Sequence, residues 1–275
     1  MNNIRSNIVK MWMFVRRGFI TWVSYKWGVA LNLMTWGMQA LWVFFLGRLI
    51  NVNLVTEKYG SNFFSFLILG IALQQFLSAS IYSYRTTLRN EQIQGTLEMA
   101  LLTPTKLSTF VFGQGIWSYI KATIGFMIFL ILGVCFGMQI VASWIQLLSA
   151  MLVLLLLITS MMGFGLISAG IILITKEGDP LSFALYWANY LFTGLYYPVE
   201  SLPPYLQKVS FLFPLTYGLK SMRLILLKGS TLADHEVLMG VIFLIGFSCL
   251  MVPLGLFLFR KGFDKARERG SLAVF

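Results

Sequence analysis

Charge is scarce in this chain. Asp, Glu, Lys and Arg make up 11% of the 275 residues against 58% hydrophobic ones, and the mean hydropathy is +0.78, far outside the range of soluble globular domains. Histidine occurs once, as His235 between Asp234 and Glu236. Neighbouring residues on a helix point in different directions, so this triplet cannot converge on one metal ion. It reads instead as acidic residues favoured by the dipole at the start of a helix. The two cysteines, Cys135 and Cys249, fall inside apolar runs, where a thiol is a small apolar residue and implies neither disulfide nor metal site. The absence of a G-x-x-x-x-G-K-[ST] phosphate loop excludes the usual nucleotide cradle. No polar cluster has the spacing of an enzyme acting on lipids, and missing strand alternation speaks against a β-barrel.

What is present is apolar length. A hydrocarbon core of about 30 Å takes roughly 20 apolar residues as helix, and six stretches reach or approach that: 27–50, 63–84, 110–136, 144–174, 181–197 and 237–259. Runs of this kind satisfy their backbone hydrogen bonds only as helices. The expected fold is an all-α integral membrane protein, a single transmembrane domain over residues 1–275 with six spans. The first 25 residues carry Arg5, Lys10, Arg16 and Arg17 with no clean apolar core or small-residue cleavage site, so no signal peptide is expected. Ile4, Ile8, Trp12, Val15, Phe19 and Trp22 recur at helical spacing instead, the pattern of an amphipathic helix lying in the membrane interface.

Lys and Arg also set an orientation. With the N-terminus in the cytoplasm, 15 of the 21 basic residues fall on the cytoplasmic side, which places both termini inside a multi-pass protein of the cell membrane. The net charge of +11 then reflects topology and attraction to anionic lipid, and no nucleic-acid partner is needed to explain it.

Three polar features interrupt the apolar background. In the first span Asn32, Thr35 and Gln39 share one helical face with Gly28, and Gln74, Gln75 and Ser78 in the second and Asn189 in the fifth are further intramembrane polar groups. Such groups face either a partner helix or a substrate pathway. Gly165 and Ala169 in the fourth span form a small-x-x-x-small packing pair. After the fifth span Pro198, Pro203, Pro204 and Pro214 forbid one continuous helix, although the chain stays apolar through Phe211, Leu212 and Phe213. Residues 198–228 are therefore expected to dip back into the outer leaflet, with Arg223 free to snorkel to the headgroups. Finally, "RNEQIQGTLEMALLTPTKL" (residues 89–107) places Ile93, Leu97 and Leu101 on one stripe and is stopped by Pro104. A short amphipathic helix of this kind over 85–107 suits two roles, receiving force from a soluble partner or lying passively among headgroups.

"NEQIQGTLEMALLTPTKLSTFVFGQ" resembles the segment between the second and third spans of ABC-2 type permeases, with its Glu four residues before a Gly and its "GTLE-x-x-LL-TP". "GLYYPVESLPPYLQKVSFLFPLTYGLKSMRLILLKG" (194–229) resembles the family's segment after the fifth span, and "FRKGFDKARERGSL" (259–272) its basic C-terminus, the cytoplasmic tail here being 260–275. The three occur in the family's order over six spans and, together with the amphipathic N-terminal helix, extend the resemblance over nearly the whole chain. The resemblance implies the membrane subunit of an ATP-binding cassette exporter, itself not an enzyme and binding no cofactor. Its partners would be a second permease subunit and two copies of an ATPase that hold ATP and Mg. Residues 85–107 would be the coupling helix docked on the ATPase, with Glu91, Gly95, Thr96, Leu97 and Glu98 matching the family pattern. Pro198, Pro203, Pro214 and Arg223 would belong to short re-entrant helices forming the outer gate. Asn32, Thr35, Gln39, Gln74, Gln75 and Asn189 would line the route of an amphipathic, lipid-like or drug-like substrate. The alternative is a self-contained channel or secondary transporter, which calls for an ionisable residue deep in a span or for inverted repeats; Lys121 is the sequence's one candidate.

Overall fold

The computed structural model describes residues 2–50, 53–93, 107–141, 143–175 and 179–268. Among them are ten α-helices and no strand: α1 (Asn2–Ser24), α2 (Lys26–Leu49), α3 (Asn53–Tyr59), α4 (Phe63–Ile93), α5 (Leu107–Cys135), α6 (Trp144–Thr175), α7 (Asp179–Phe192), α8 (Pro204–Ser210), α9 (Pro214–Arg223) and α10 (His235–Glu268). Five are long and apolar enough to cross a membrane: α2, 63–83 of α4, 115–135 of α5, 144–171 of α6 and 235–265 of α10. The chain is a multi-pass helical membrane protein. The fifth apolar stretch departs from expectation. It ends at Phe192 rather than Tyr197, and the 14 residues of α7 extend about 21 Å at 1.5 Å per residue, short of the ~30 Å a crossing takes.

α4 is the centre of the bundle, with Phe66, Leu67, Ile68, Leu69, Ile71 and Phe76 fully buried. It runs antiparallel to α2, where Gly47 meets the backbone of Phe64, and to α5, where the Ser80 and Tyr119 hydroxyls are 3.0 Å apart. Residues 85–93, expected to begin a separate amphipathic helix, continue α4 unbroken because nothing between Tyr84 and Ile93 is a Gly or Pro. α6 and α10 run parallel and touch backbone to backbone. A Cβ on Gly163 would lie 2.5 Å from the Met251 carbonyl carbon, and one on Gly170 would lie 2.8 Å from that of Leu258. Ser160 adds a hydrogen bond to the Leu244 carbonyl at 3.0 Å. Gly165 and Ala169, the expected packing pair, are buried, but the closest approach falls on Gly163 and Gly170.

The loops at one end of the bundle are knitted together. Pro198 and Pro203 cap the short turn Val199–Ser201 and α8, Pro214 opens α9, and α9 widens into a π turn (Leu224–Lys228) that stops at Gly229 with φ 79°, a conformation that glycine adopts without a Cβ clash. Val141 N–H donates to the Leu226 carbonyl at 2.9 Å, and the Gln146 amide to that of Gly229 at 2.8 Å. At the other end α1 lies on α5: Gly18 admits the Trp117 indole, and Phe14 sits against Gly113. The expected N-terminal helix is thus present, but its contact face is Phe14, Gly18, Phe19 and Trp22, with Phe19 half-exposed beside Trp117 and Trp12 exposed.

Candidate functional site

Consecutive residues on a helix are turned by about 100°, so the adjacent amides of Gln74 and Gln75 face different neighbours. Gln74 is buried toward α7. Its Nε2 donates to the Tyr186 hydroxyl at 2.8 Å, the Tyr196 hydroxyl donates back to Oε1 at 3.5 Å, and Tyr190 donates to Tyr196. The rings reinforce this chain, with centroids of Tyr82 and Tyr186 5.5 Å apart and those of Tyr190 and Tyr196 4.8 Å apart. Asn189, on the same short helix, stays outside the network. Its Nδ2 returns to the Leu185 carbonyl at 2.8 Å, and its buried Oδ1 has no partner.

Gln75 turns the other way, into a cavity of about 290 Å³ between α1, α2, α4 and α5. Asn32 from α2, Ser78 and Ser83 from α4, and Ser118 and Lys121 from α5 share it, with the indoles of Trp22 and Trp36 on its wall. Among the described residues none that lines it is acidic. Ser83 is 7% exposed, and its buried hydroxyl has no hydrogen-bond partner among the described residues. Lys121 has no carboxylate within ion-pair distance among the described residues. Thr35 and Gln39 are not in this group: Thr35 is exposed and bonds back to the Leu31 carbonyl at 2.8 Å, and Gln39 is half-buried on α2. The residues expected to line one pathway are thus divided by α4 into a tyrosine-bonded side and a cavity side.

Arg223 does not snorkel. It is 2% exposed, and its guanidinium donates to the carbonyls of Gly194 at 2.8 Å, Leu195 at 2.9 Å and Phe66 at 3.2 Å while lying 3.4 Å over the Phe66 ring. It fastens the turn after α7 to the start of α4. Gly70 makes room for it, since a Cβ there would sit 2.5 Å from the Leu195 oxygen and 2.8 Å from the guanidinium. At the same end Lys58 of α3 is paired with Glu200. Burial opposes the charge on both, but their mutual hydrogen bond and attraction outweigh it. The lysine is raised above its ordinary value and the carboxyl, also helped by a backbone N–H, is lowered below its own.

The backbone of Glu91 belongs to the last turn of α4. Gly95, Thr96, Leu97 and Glu98 lie outside the described residues, as do residues 269–275 of the basic tail. The tyrosines of the Gln74 network were not anticipated, although Tyr186 and Tyr190 stand four apart on α7 as a one-faced pair would.

No protein-family model matches the chain. Among curated proteins it is 27% identical over 170 residues to Nodulation protein J of Sinorhizobium fredii (strain NBRC 101917 / NGR234), a match covering 60% of this chain and 62% of that protein. The chain thus spans less than two thirds of the length of its relative, and what it shares with that nodulation protein is a stretch of sequence within a helical, multi-pass membrane protein.

Proposed function

We propose that the chain is the permease subunit of an ATP-binding cassette exporter of the ABC-2 type, moving an amphipathic, lipid-like or drug-like solute outward with ATP hydrolysed on a separate subunit. The observation that carries this reading is the order of three family-like segments, 90–114, 194–229 and 259–272, in one chain built of long apolar helices. The likeness to Nodulation protein J supports it. The polar link between α4 and α5 then acts as the coupling element. Glu91 sits at its start, where a carboxylate can pair with a basic residue of the ATPase and fix the docking register. Force on the link passes into α4 and α5, the helices that hold Gln74, Gln75 and Lys121. Tilting α4 would exchange the Gln74–Tyr186 bond for other partners, and the two states differ in free energy because ATP binds them differently on the partner. Two permease subunits face each other, with Pro198, Pro203, Pro214 and the turn held by Arg223 closing the outer side and both termini in the cytoplasm.

A self-contained channel or secondary transporter remains the second reading, and Lys121 beside a polar cavity is the observation in its favour. One purification separates the two. Tagged protein from its native membrane, solubilised in mild detergent, is expected to bring an ATP-binding subunit with it, and the Glu91→Arg variant is expected to lose it. A stable particle that transports with no ATPase attached would sink the permease reading.

A further inference from the structure

The cavity beside Gln75 leaves a charge and a hydroxyl without partners. A lysine in an apolar helix ordinarily finds a carboxylate or a set of carbonyls. Among the described residues Lys121 has no ion-pair partner, and none of those that line the cavity with it is acidic. Beside it the Ser83 hydroxyl is more than nine-tenths buried and has no partner among the described residues, a state that native structures rarely leave unexplained. Asn32, Gln75, Ser78 and Ser118 supply further donors around the same space, so the site is built to accept an anion rich in oxygen acceptors. At about 290 Å³ it is far larger than a single water.

We propose that this cavity holds the headgroup of an anionic glycerophospholipid, its phosphate against Lys121 and its oxygens accepting from Ser83 and the neighbouring donors. Two observations select a lipid over a soluble anion. The cavity lies between α1 and the spans α2, α4 and α5, with Trp22 of α1 on its wall, and an indole outside the spans favours the headgroup level of a bilayer. On the same helix as Asn32, the side chains of Leu31, Met34 and Met38 are exposed and apolar, a surface against which acyl chains can lie while the headgroup sits in the cavity. The inference rests on the membrane reading of the helices and not on any ATPase.

The test uses the full chain reconstituted in phosphatidylcholine vesicles, with spin-labelled phosphatidylglycerol or phosphatidylcholine reporting the relative association constant. The wild type is expected to prefer phosphatidylglycerol. Lys121→Gln should reduce that preference about tenfold, the scale of one charge-assisted hydrogen bond. Ser83→Ala, which keeps the fold's packing and so stays informative if the lysine variant does not assemble, should reduce it about threefold, the scale of a neutral bond. Lys26→Gln, on the adjoining helix and outside the cavity, should leave it unchanged. Equal association of the two lipids, or a preference that survives both cavity variants or falls equally with Lys26→Gln, would overturn the site. Displacement of the labelled lipid by millimolar inorganic phosphate would overturn the lipid in favour of a soluble anion. No ATP or transport enters the titration, so its failure leaves the permease reading standing, and absence of an ATPase in the purification leaves the lipid site standing.

Discussion

Arg223 and Lys121 pose the same physical problem at opposite ends of the bundle, and the fold treats them oppositely. Each is a cation in a predominantly apolar chain with no carboxylate at ion-pair distance among the described residues. Arg223 is enclosed, and three backbone carbonyls and the face of Phe66 take the place of water. Its planar fork of donors suits that task as a single ammonium would not. Lys121 is exposed to a cavity whose neighbours are donors or neutral groups. One cation is consumed in holding the structure together, while the other is left available, which is the difference between a fastening and a binding site.

The most direct way to break the comparison is to remove the fastening. Arg223→Met leaves the Gly194, Leu195 and Phe66 carbonyls short of a donor, and an unsatisfied buried polar group costs about 1–3 kcal/mol. With three carbonyls affected, the variant is expected to lose roughly 3–5 kcal/mol, the lower part of the range for three such groups. Arg223→Lys should fall between, because a point charge cannot reach three carbonyls from one position. Thermal unfolding in detergent checks both, and an Arg223→Met transition within about 1 kcal/mol of wild type would show that the clamp holds nothing. Gly70→Ala attacks the same feature from across the interface. Its methyl group would intrude on both the Leu195 oxygen and the guanidinium, for an expected loss of about 1–3 kcal/mol that Arg223→Met should largely mask.

The clamp also shows where the sequence was readable and where it was not. Long apolar runs fixed α2, α4, α5, α6 and α10, because in a bilayer such runs have one way to satisfy their backbones. The proline cluster announced the broken segment between α7 and α10, and its turn and caps appear at Pro198, Pro203 and Pro214. Length misled at the fifth run, since Leu195–Tyr197 are as apolar as a helix but follow Gly194 at φ 75°. Which way a polar residue faces was not legible. Gln74 and Gln75 are chemically identical neighbours, and only the packing of α4 between α5 and α7 sends one to tyrosines and the other to the cavity that Lys121 also lines. The part Arg223 plays was hidden for the same reason: snorkelling was its passive alternative to a place in the re-entrant segment, and no local pattern reports that the carbonyls of residues 194 and 195 and of residue 66 converge on it.

The Lys58–Glu200 pair sharpens the comparison as an intermediate case, a cation with a true counter-ion at a partly exposed site. Side-chain exposures of 27% and 42% limit it to about 0.5 kcal/mol after solvent screening. The sign follows from the two shifts. Glu200 is held below its ordinary 4.5, so its contribution is complete above that value and is lost as pH falls through its lowered folded value. Lys58 is held above its ordinary 10.5, so its contribution is complete below that value and is lost as pH rises through its raised folded value. Glu200→Gln should therefore be slightly less stable than wild type between those limits and converge with it in acid. A gap that stays constant from neutral pH into acid would show that the pair is not what stabilises this corner.

The smallest stability effect is expected where the comparison is most pointed. Lys121→Met removes a cation as formal as that of Arg223, but it breaks no ion pair among the described residues and leaves no carbonyl stranded. In lipid-free detergent its unfolding should lie within about 0.5 kcal/mol of wild type, and relief of an uncompensated charge would move it upward if at all. Added phosphatidylglycerol should then separate the two proteins, because a ligand that binds only the folded state raises its stability by mass action: the wild-type transition climbs with lipid concentration and that of Lys121→Met stays flat. A large loss in lipid-free detergent would instead mean that Lys121 is a second fastening, held by groups inside the bundle, and the contrast with Arg223 would collapse.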